Sequence, residues 1–450
     1  MEQRLDGHIK DVDVAVIGGG PAGISACLEL SKTPGIRTAL FESEAELGGM
    51  PRSCHLFFGL RDMKRLYSGP GYARKLTRQV NRTGVDIHTN ATAVEIVTGQ
   101  NGAKHQVKVV TKDGLMNCKC RYLLLATGCF ELSREGRRIP GTRPAGIFTT
   151  GSLQQLVNLQ KIRPGNKALI IGSEHVSLSA ALTLNRAGMK ITGLVSEDRL
   201  LHTYPYAARA LSIALNFPIF SGVAVGSIYG KKRVEGVQLK HKDNHQLLEV
   251  DCDTIVCTGK FHPDAALIYK TPIKEDSDSM GPIVDTNYMT RSKNIYAAGN
   301  VLHGADMHDV CAMEGRRAAE SILKNWMGIY TESEKCVAVS AEKPLRYVVP
   351  QTLLIDDIRN RKTSYWHPGV SVQANHTLKK VALEAWSGSE KLYSCKYSCL
   401  IADSRVLLPV EKFRWEKVDF SKPVIIKAVE SQPGKARFRL RSACYDPTSR

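Results

Sequence analysis

The stretch at residues 13–23, DVAVIGGGPAG, constrains this chain more than any other. Residues 14–17 read as a short buried strand, and Gly18, Gly20 and Gly23 fall at the first, third and sixth positions of G-x-G-x-x-G. In a strand-turn-helix unit the first glycine allows the tight turn, the second lets backbone approach a pyrophosphate, and the third lets the helix lie on the strand. Pro21 and Ala22 complete the turn, and the helix over 24–30 would offer unpaired N–H groups and the positive end of its dipole to the phosphates. A second strand, 38–41, ends on Glu42, 24 positions beyond Gly18, where a carboxylate grips a ribose hydroxyl. Glycine turns also serve ordinary packing. It is the succession of strand, glycines, helix, strand and terminal acid that specifies a dinucleotide site.

At 450 residues the chain calls for two or three domains. Its longest apolar runs are strand-sized, short of the roughly 20 residues a membrane helix needs. The segment MEQRLDGHIK has no apolar core of an export signal, so a cytoplasmic location is expected, with peripheral membrane contact left open. The net charge of +18 invites a nucleic-acid reading, but the basic residues are scattered and form no recognised basic-aromatic module. A basic surface that attracts an anionic substrate, lipid headgroups or an acidic partner is the expectation, with no nucleic acid. Twelve cysteines are dispersed without zinc or C-x-x-C spacing, so neither a metal site nor a disulfide framework is expected. Cys118 with Cys120, and Cys395 with Cys399, read as core or edge positions on strands.

Beyond Glu42, the glycine- and proline-rich loop 47–55 carries Gly49, Met50, Cys54 and His55 and should pass close to a bound cofactor. A helix over 72–80, a strand over 85–88 and alternating runs at 91–97 and 106–110 follow, the last two as a small antiparallel excursion. The chain returns through a buried strand ending in Ala126, Thr127 and Gly128. A second βαβ signal begins at 166–171. Here Gly172-Ser173-Glu174-His175-Val176-Ser177 holds the place of a second fingerprint with two of three glycines missing. Glu174 puts a side chain where a pyrophosphate meets bare backbone, Ser177 crowds the helix-strand contact, and Glu197-Asp198 would repel a 2′-phosphate. The reading is a vestigial nicotinamide unit with NAD(P)H binding weak or absent; the alternative is an NADH site of unusual chemistry. The first domain resumes near 255, and a β-rich tail with three of the four tryptophans and strands at 377–385, 391–401, 405–410, 424–429 and 436–440 closes the chain.

The order of fingerprint, hairpins and the Leu-Leu-Ala-Thr-Gly strand resembles the two-dinucleotide-domain flavoproteins that include thioredoxin and glutathione reductases. That family ends a late strand in Ala-Gly-Asp; here Ala298-Gly299-Asn300 stands in the matching place, an amide for the acid. A closer resemblance is to FAD-dependent oxidoreductases encoded beside anaerobic glycerol-3-phosphate dehydrogenases, relatives of opine oxidase, hydrogen cyanide synthase and proline dehydrogenase subunits. It is carried by Leu47-Gly48-Gly49 with Cys54, by 68–73, by Ala126-Thr127-Gly128-Cys129, by 139–146, by Gly299-Asn300-Val301-Leu302-His303, and by Leu345-Arg346-Tyr347-Val348-Val349-Pro350-Gln351. The resemblance implies an α/β fold: an FAD-binding Rossmann-like domain (1–135 and 255–330), an inserted NAD-type Rossmann-like domain (136–254) and a C-terminal β-rich domain (331–450).

It also implies an FAD-dependent oxidoreductase without a redox-active disulfide. Such a protein oxidises a small polar substrate, such as an amino or imino acid or a hydroxy compound, and passes electrons to a partner dehydrogenase or carrier subunit. FAD's pyrophosphate is assigned to Gly18, Gly20 and Gly23, its adenosine ribose to Glu42, and its ribityl-flavin end to Gly49, Met50, Ala126, Thr127, Gly128, Gly299, Asn300 and Val301. Cys54, His55, His303, Asp306, His308 and Asp309 are candidates for proton handling, since they lie in the two loops expected beside the ring and histidine titrates near neutrality. The alternatives are a non-catalytic FAD-binding relay or scaffold subunit, and an NAD(P)H-dependent flavin reductase.

Overall fold

The structure, a computed structural model, describes residues 8–329, 335–360 and 369–430. The fingerprint strand His8–Ile17 lies at the centre of the first sheet because every residue from Val14 to Val16 is fully buried and nothing in that run must reach water. It pairs in parallel with Thr38–Phe41 on one side and with Gly114–Leu125 on the other, and Asp86–His88 and Ile295–Ala297 extend the parallel set. Gly114–Leu125 is 12 residues long and serves two roles. From Met116 to Leu125 it pairs in parallel with the fingerprint strand, while from Gly114 to Cys120 its other edge pairs antiparallel with His105–Thr111, itself joined to Thr92–Val97. The antiparallel excursion expected from the alternating runs is therefore a continuation of the same seven-stranded sheet. Helix Pro21–Leu30 packs on helix His308–Trp326, and Gly315 permits the approach, since a Cβ there would stand 2.0 Å from the Ala22 carbonyl oxygen.

The second unit is an all-parallel five-stranded sheet in the order Ile147–Thr149, Thr254–Cys257, Lys167–Ile171, Lys190–Ser196, Ile219–Ser221. Beside it lies an antiparallel sheet of Val223–Tyr229, Gly236–His241 and Leu247–Asp251, which the sequence reading missed. The expected return to the first domain at residue 255 requires a correction: Thr254–Cys257 is a buried inner strand of the second sheet. The return follows it, where Phe261–Pro263 pairs with Cys129–Glu131 to form the two-stranded crossing between units. Glu131 fastens this crossing by accepting the backbone N–H groups of Gly151 at 2.8 Å and Gly259 at 3.2 Å.

The C-terminal region forms two sheets. Thr352–Leu354, Cys336–Ala341, Val424–Glu430, Leu378–Ser387 and Glu390–Leu400 make the larger, and Leu345–Val349, Val370–Ala374 and Arg405–Leu408 the smaller. They enclose a core that includes Val339, Leu383, Val372, Leu408 and Trp415. Tyr347 and Val349 instead pack into the core of the first domain, and Gln351 Oε1 accepts the Val284 N–H at 3.1 Å. The tail is thus a domain with its own core that shares two side chains with its neighbour. The expected strand at 436–440 and Trp366 lie outside the described residues.

Candidate functional site

A cavity of about 1190 Å³ runs from the first glycine turn to the junction of all three domains. At its head the turn has the geometry its glycines promise. A Cβ on Gly18, at φ +106°, would sit 2.2 Å from the Ala126 carbonyl oxygen, and one on Gly23 would sit 1.9 Å from that of Gly18. Gly20 differs: a Cβ there would meet nothing within 4 Å, so open space adjoins the backbone where a phosphate would lie. Gly20 caps helix Pro21–Leu30 without a side-chain hydrogen bond, leaving first-turn N–H groups to face the cavity. Glu42 is buried at the end of its strand; one carboxylate oxygen accepts the Gly19 N–H at 2.7 Å and the other that of Glu44 at 2.8 Å. Ser43, Ala91, Thr92 and Ala93 continue the wall.

Farther along, Gly49, Met50, Ala126, Thr127, Gly128 and Asn300 all line the cavity. Gly49 crosses the turn closely, since its Cβ would fall 3.0 Å from Gly20 Cα. Gly299 and Val301 are buried behind the lining, and Asn300 Oδ1 accepts the Asp306 N–H at 3.0 Å and the Cys311 thiol at 3.0 Å. The amide in place of an acid is therefore used to shape the following loop. These residues can hold a dinucleotide cofactor: the uncapped helix, the open Gly20 flank and the buried acid form a cradle for pyrophosphate and ribose.

The proton-handling candidates converge less well. Cys54 lines the cavity, but burial pushes its thiol up, and the Leu56 N–H lies 3.3 Å from its sulfur. A thiol so placed is a poor nucleophile near neutral pH. His55 turns away from the cavity and spans to the second unit, with Nε2 3.1 Å from Asn158 Oδ1 and Nδ1 3.2 Å from Arg186 Nη1; burial and Arg186 push its pKa down. It bridges two units and is absent from the cavity wall. His308 packs edge-on against Phe58 at 4.6 Å, and burial lowers its pKa to about 4, so its ring is neutral at pH 7. Asp309 holds Arg61, Asp306 holds Arg405, and His303 Nε2 sits 3.3 Å from buried Glu314. Glu314, whose acid would rise on burial alone, is held down at about 2 by Arg405 and His303.

The second turn is built otherwise. Glu174 stands where Gly20 stands in the first, and its carboxyl folds back into the turn: a Cβ on Gly259 would lie 2.2 Å from Glu174 Cδ, and one on Gly172 2.7 Å from Oε2. Thr258 Oγ1 and Ser177 Oγ donate to that carboxyl at 2.9 and 3.2 Å, and burial pushes its pKa up. Ser177 does not crowd the helix, as its sequence position suggests; its hydroxyl is fully buried and lies 2.6 Å from Thr258 Oγ1. Asp403 of the C-terminal domain closes over this turn through His202, whose Nδ1 is 3.1 Å from Asp403 Oδ2 and whose Nε2 is 2.7 Å from Asp198 Oδ2. Burial would lower the His202 pKa, but the two carboxylates raise it to about 9, so the ring is a cation between two acids.

Glu174, His202 and Asp403 bring ligand-type atoms within 4.8 Å of one another, a grouping that no spacing in the sequence reveals. Both His202 nitrogens are engaged in hydrogen bonds, which makes the group an ionic latch between domains. His175 Nδ1 lies 2.7 Å from Thr203 Oγ1 and its ring stacks on Tyr204 at 5.0 Å; both line the cavity with Lys260, Arg346, Gln373 and Arg405. These residues were missed in sequence because they come from three separate domains. Arg346 had a signal in the 345–351 motif and His175 in the second fingerprint.

Among known proteins, the chain is 28% identical over 186 residues to the hydrogen cyanide synthase subunit HcnB of Pseudomonas protegens, a match covering 40% of this chain and 37% of that protein. It is 22% identical over 361 residues to the small chain of glutamate synthase [NADPH] of Escherichia coli, covering 70% and 69%. The fold matches thioredoxin reductase of T. acidophilum at a TM-score of 0.60, 17% identity and coverage of 71% and 99%. It matches L-proline dehydrogenase of P. horikoshii at 0.53, 21% identity and coverage of 73% and 57%. The model of the pyridine nucleotide-disulphide oxidoreductases spans residues 12–317, through both glycine turns and into helix His308–Trp326, and the chain belongs to that family of oxidoreductases.

Proposed function

We propose that this chain is an FAD-dependent dehydrogenase, or the flavoprotein subunit of one. It oxidises a small polar substrate such as an amino acid, imino acid or hydroxy compound, passes the electrons to a partner protein and does not draw them from NAD(P)H. The observation that carries the reading is the difference between the two turns. Both turns open uncapped helices, but at the first the Gly20 position is bare backbone beside the large cavity, whereas at the second Glu174 takes that position, its carboxyl bonded to Thr258, beside a smaller pocket of about 380 Å³ that Asp403 also lines.

Gly18, Gly20 and Gly23 would hold the pyrophosphate of FAD, Glu42 the adenosine ribose, and Gly49, Met50, Ala126 to Gly128 and Gly299 to Val301 the ribityl-flavin end. When bound, the flavin supplies the hydride and electron chemistry. The protein's part is then to orient the substrate and keep water from the reacting atoms. Lys260, Arg346, Gln373 and His175 give the chamber beyond the cofactor a polar, partly cationic wall, which suits a small polar or anionic substrate. Cys54, with its thiol held protonated and no second cysteine within thiol-exchange spacing, supports chemistry without an internal dithiol.

The relay-subunit reading draws support from one observation: His55, His303, Asp306 and Asp309 are each engaged in a structural ion pair or hydrogen bond. The relative HcnB is named as a subunit, which supports a partner for this chain as well. The association with anaerobic glycerol-3-phosphate dehydrogenases and the cytoplasmic location stand as parts of the same proposal. No helix among the described residues is long and apolar enough to cross a membrane.

The test is anaerobic titration of the purified protein, watched by its visible spectrum. A yellow protein indifferent to NADH and NADPH, and bleached by an amino or hydroxy acid, is the expected result. Bleaching that appears only when a co-purifying subunit is added selects the relay reading. Rapid bleaching by NADH overturns the assignment of the second turn, and a colourless protein that takes up no FAD overturns the cofactor.

A further inference from the structure

The loop from Gly299 to His308 is held from outside its own domain. Arg405, the first residue of strand Arg405–Leu408 in the C-terminal sheet, donates from Nη1 to Asp306 Oδ2 at 2.7 Å and places Nη2 2.9 Å from Glu314 Oε1. Its Nε donates to Ser371 Oγ at 2.6 Å, which fixes the plane of the guanidinium from its own sheet. The Arg405 side chain is 16% exposed, Asp306 13% and Glu314 2%.

Each carboxylate then passes the contact on to the loop. Glu314 Oε2 accepts the Gly299 N–H at 3.1 Å and lies 3.3 Å from His303 Nε2. The Asp306 N–H donates to Asn300 Oδ1 at 3.0 Å, and Asp306 Oδ1 accepts the Met307 N–H at 2.6 Å. Gly299, His303 and Met307 are therefore each in contact with a carboxylate that Arg405 neutralises, and Asn300 is bonded to the backbone of Asp306. Removing the cation leaves two acids buried side by side, which must take up a proton or draw the loop toward water.

We propose that Arg405 is a positioning residue of the flavin site, so that the C-terminal domain is part of the cofactor-binding machinery and holds the 299–308 loop in the shape that receives the flavin. This rests on the FAD reading above. A planar fork that bridges two acids is a task for arginine; lysine can neutralise one of them but cannot span both.

The experiment strips the full-length protein of flavin and titrates it with FAD, following flavin fluorescence and the visible circular dichroism of the bound ring. Arg405→Met should weaken FAD binding at least tenfold, and Arg405→Lys should recover part of that loss with an altered dichroism spectrum. Because the single Met variant leaves two unpaired acids, the double variant Arg405→Met with Glu314→Gln restores the net charge of the cluster and leaves Asp306 as its one acid. It should melt above the single variant and still bind at least tenfold more weakly than the wild type. If the double variant or Arg405→Lys binds FAD within twofold of the wild type with an unchanged dichroism spectrum, the proposal is overturned while the FAD reading stands. If the wild type itself binds no FAD, both fall.

Discussion

At the first glycine turn the third position is bare backbone beside open space, and at the second the same position carries Glu174, whose carboxyl is hydrogen-bonded within the turn it would otherwise leave empty. The surrounding fold is alike: each turn follows a buried parallel strand and opens a helix. What differs is the occupant. A buried carboxyl with hydroxyl donors from Thr258 and Ser177 satisfies locally the polar surroundings that a phosphate would have satisfied. The same βαβ backbone thus presents bare backbone at one turn and a buried carboxyl at the other.

The strongest way to break this comparison is to close the open turn. Gly23→Val places a Cβ 1.9 Å from the Gly18 carbonyl oxygen, where backbone cannot yield. It should cost about 3 kcal/mol or more of stability and abolish flavin retention, read by thermal melting and by absorbance of the purified protein. A variant that stays yellow and melts normally would remove the first turn from the site.

The converse is to open the closed turn. Glu174→Gly with Asp403→Asn should bring NADH binding from undetectable to a dissociation constant of about 1 mM, or ~4 kcal/mol, measured by calorimetry. Continued indifference to NADH would mean that the strand ends, Glu197 and Asp198 included, exclude the nucleotide as well.

A smaller effect tests the latch over the second turn. The His202 pKa is raised in the folded protein, so its contribution is complete below the unfolded value near 6.5 and fades as pH rises through about 9. Discounted for solvent screening, this amounts to ~1 kcal/mol, or a drop of about 1 °C in Tm between pH 7 and pH 10 that His202→Gln should abolish. Hydrogen exchange at residues 402–405 should accelerate over the same range. A pH-independent rate there would show that the ring is not the cation holding the C-terminal loop.

The smallest effect belongs to Cys54. Its thiol is buried with a raised pKa, so Cys54→Ser should alter the rate of substrate reduction of the flavin less than about threefold. Alkylation of the native protein at pH 7.5 should spare it. A large loss of rate would return a cysteine to the chemistry and bring this chain closer to its disulfide-reducing relatives.

Residues 13–42 were legible in sequence because the information is local. A glycine whose Cβ would strike the next carbonyl, a proline that opens the helix and an acid that ends the next strand are each dictated by backbone within a few residues. The absence of redox-pair spacing among the cysteines was legible for the same reason, and so was the departure of the second turn from its pattern. The consequence of that departure was not. That Glu174 fills the turn, and that Ser177 bonds to Thr258 instead of crowding the helix, depend on a strand that arrives 81 residues later.

The boundary at residue 255 was misplaced on similar grounds. A four-residue buried strand looks the same in either parallel sheet, and only pairing with Lys167–Ile171 assigns it. His55, His303 and Asp306 were singled out for chemistry because they sit in the right loops; their partners are Asn158 and Arg405 from distant segments and Glu314 from the helix that follows. The sequence alone determined the two nucleotide-type units, the first cradle and the β-rich tail, since periodicity and turn chemistry act over short range. The tertiary structure decided how each turn is filled and which partners the candidate side chains take. It also placed the tail against the cavity, because buried charges take their state from whatever packs beside them, however far away in the chain.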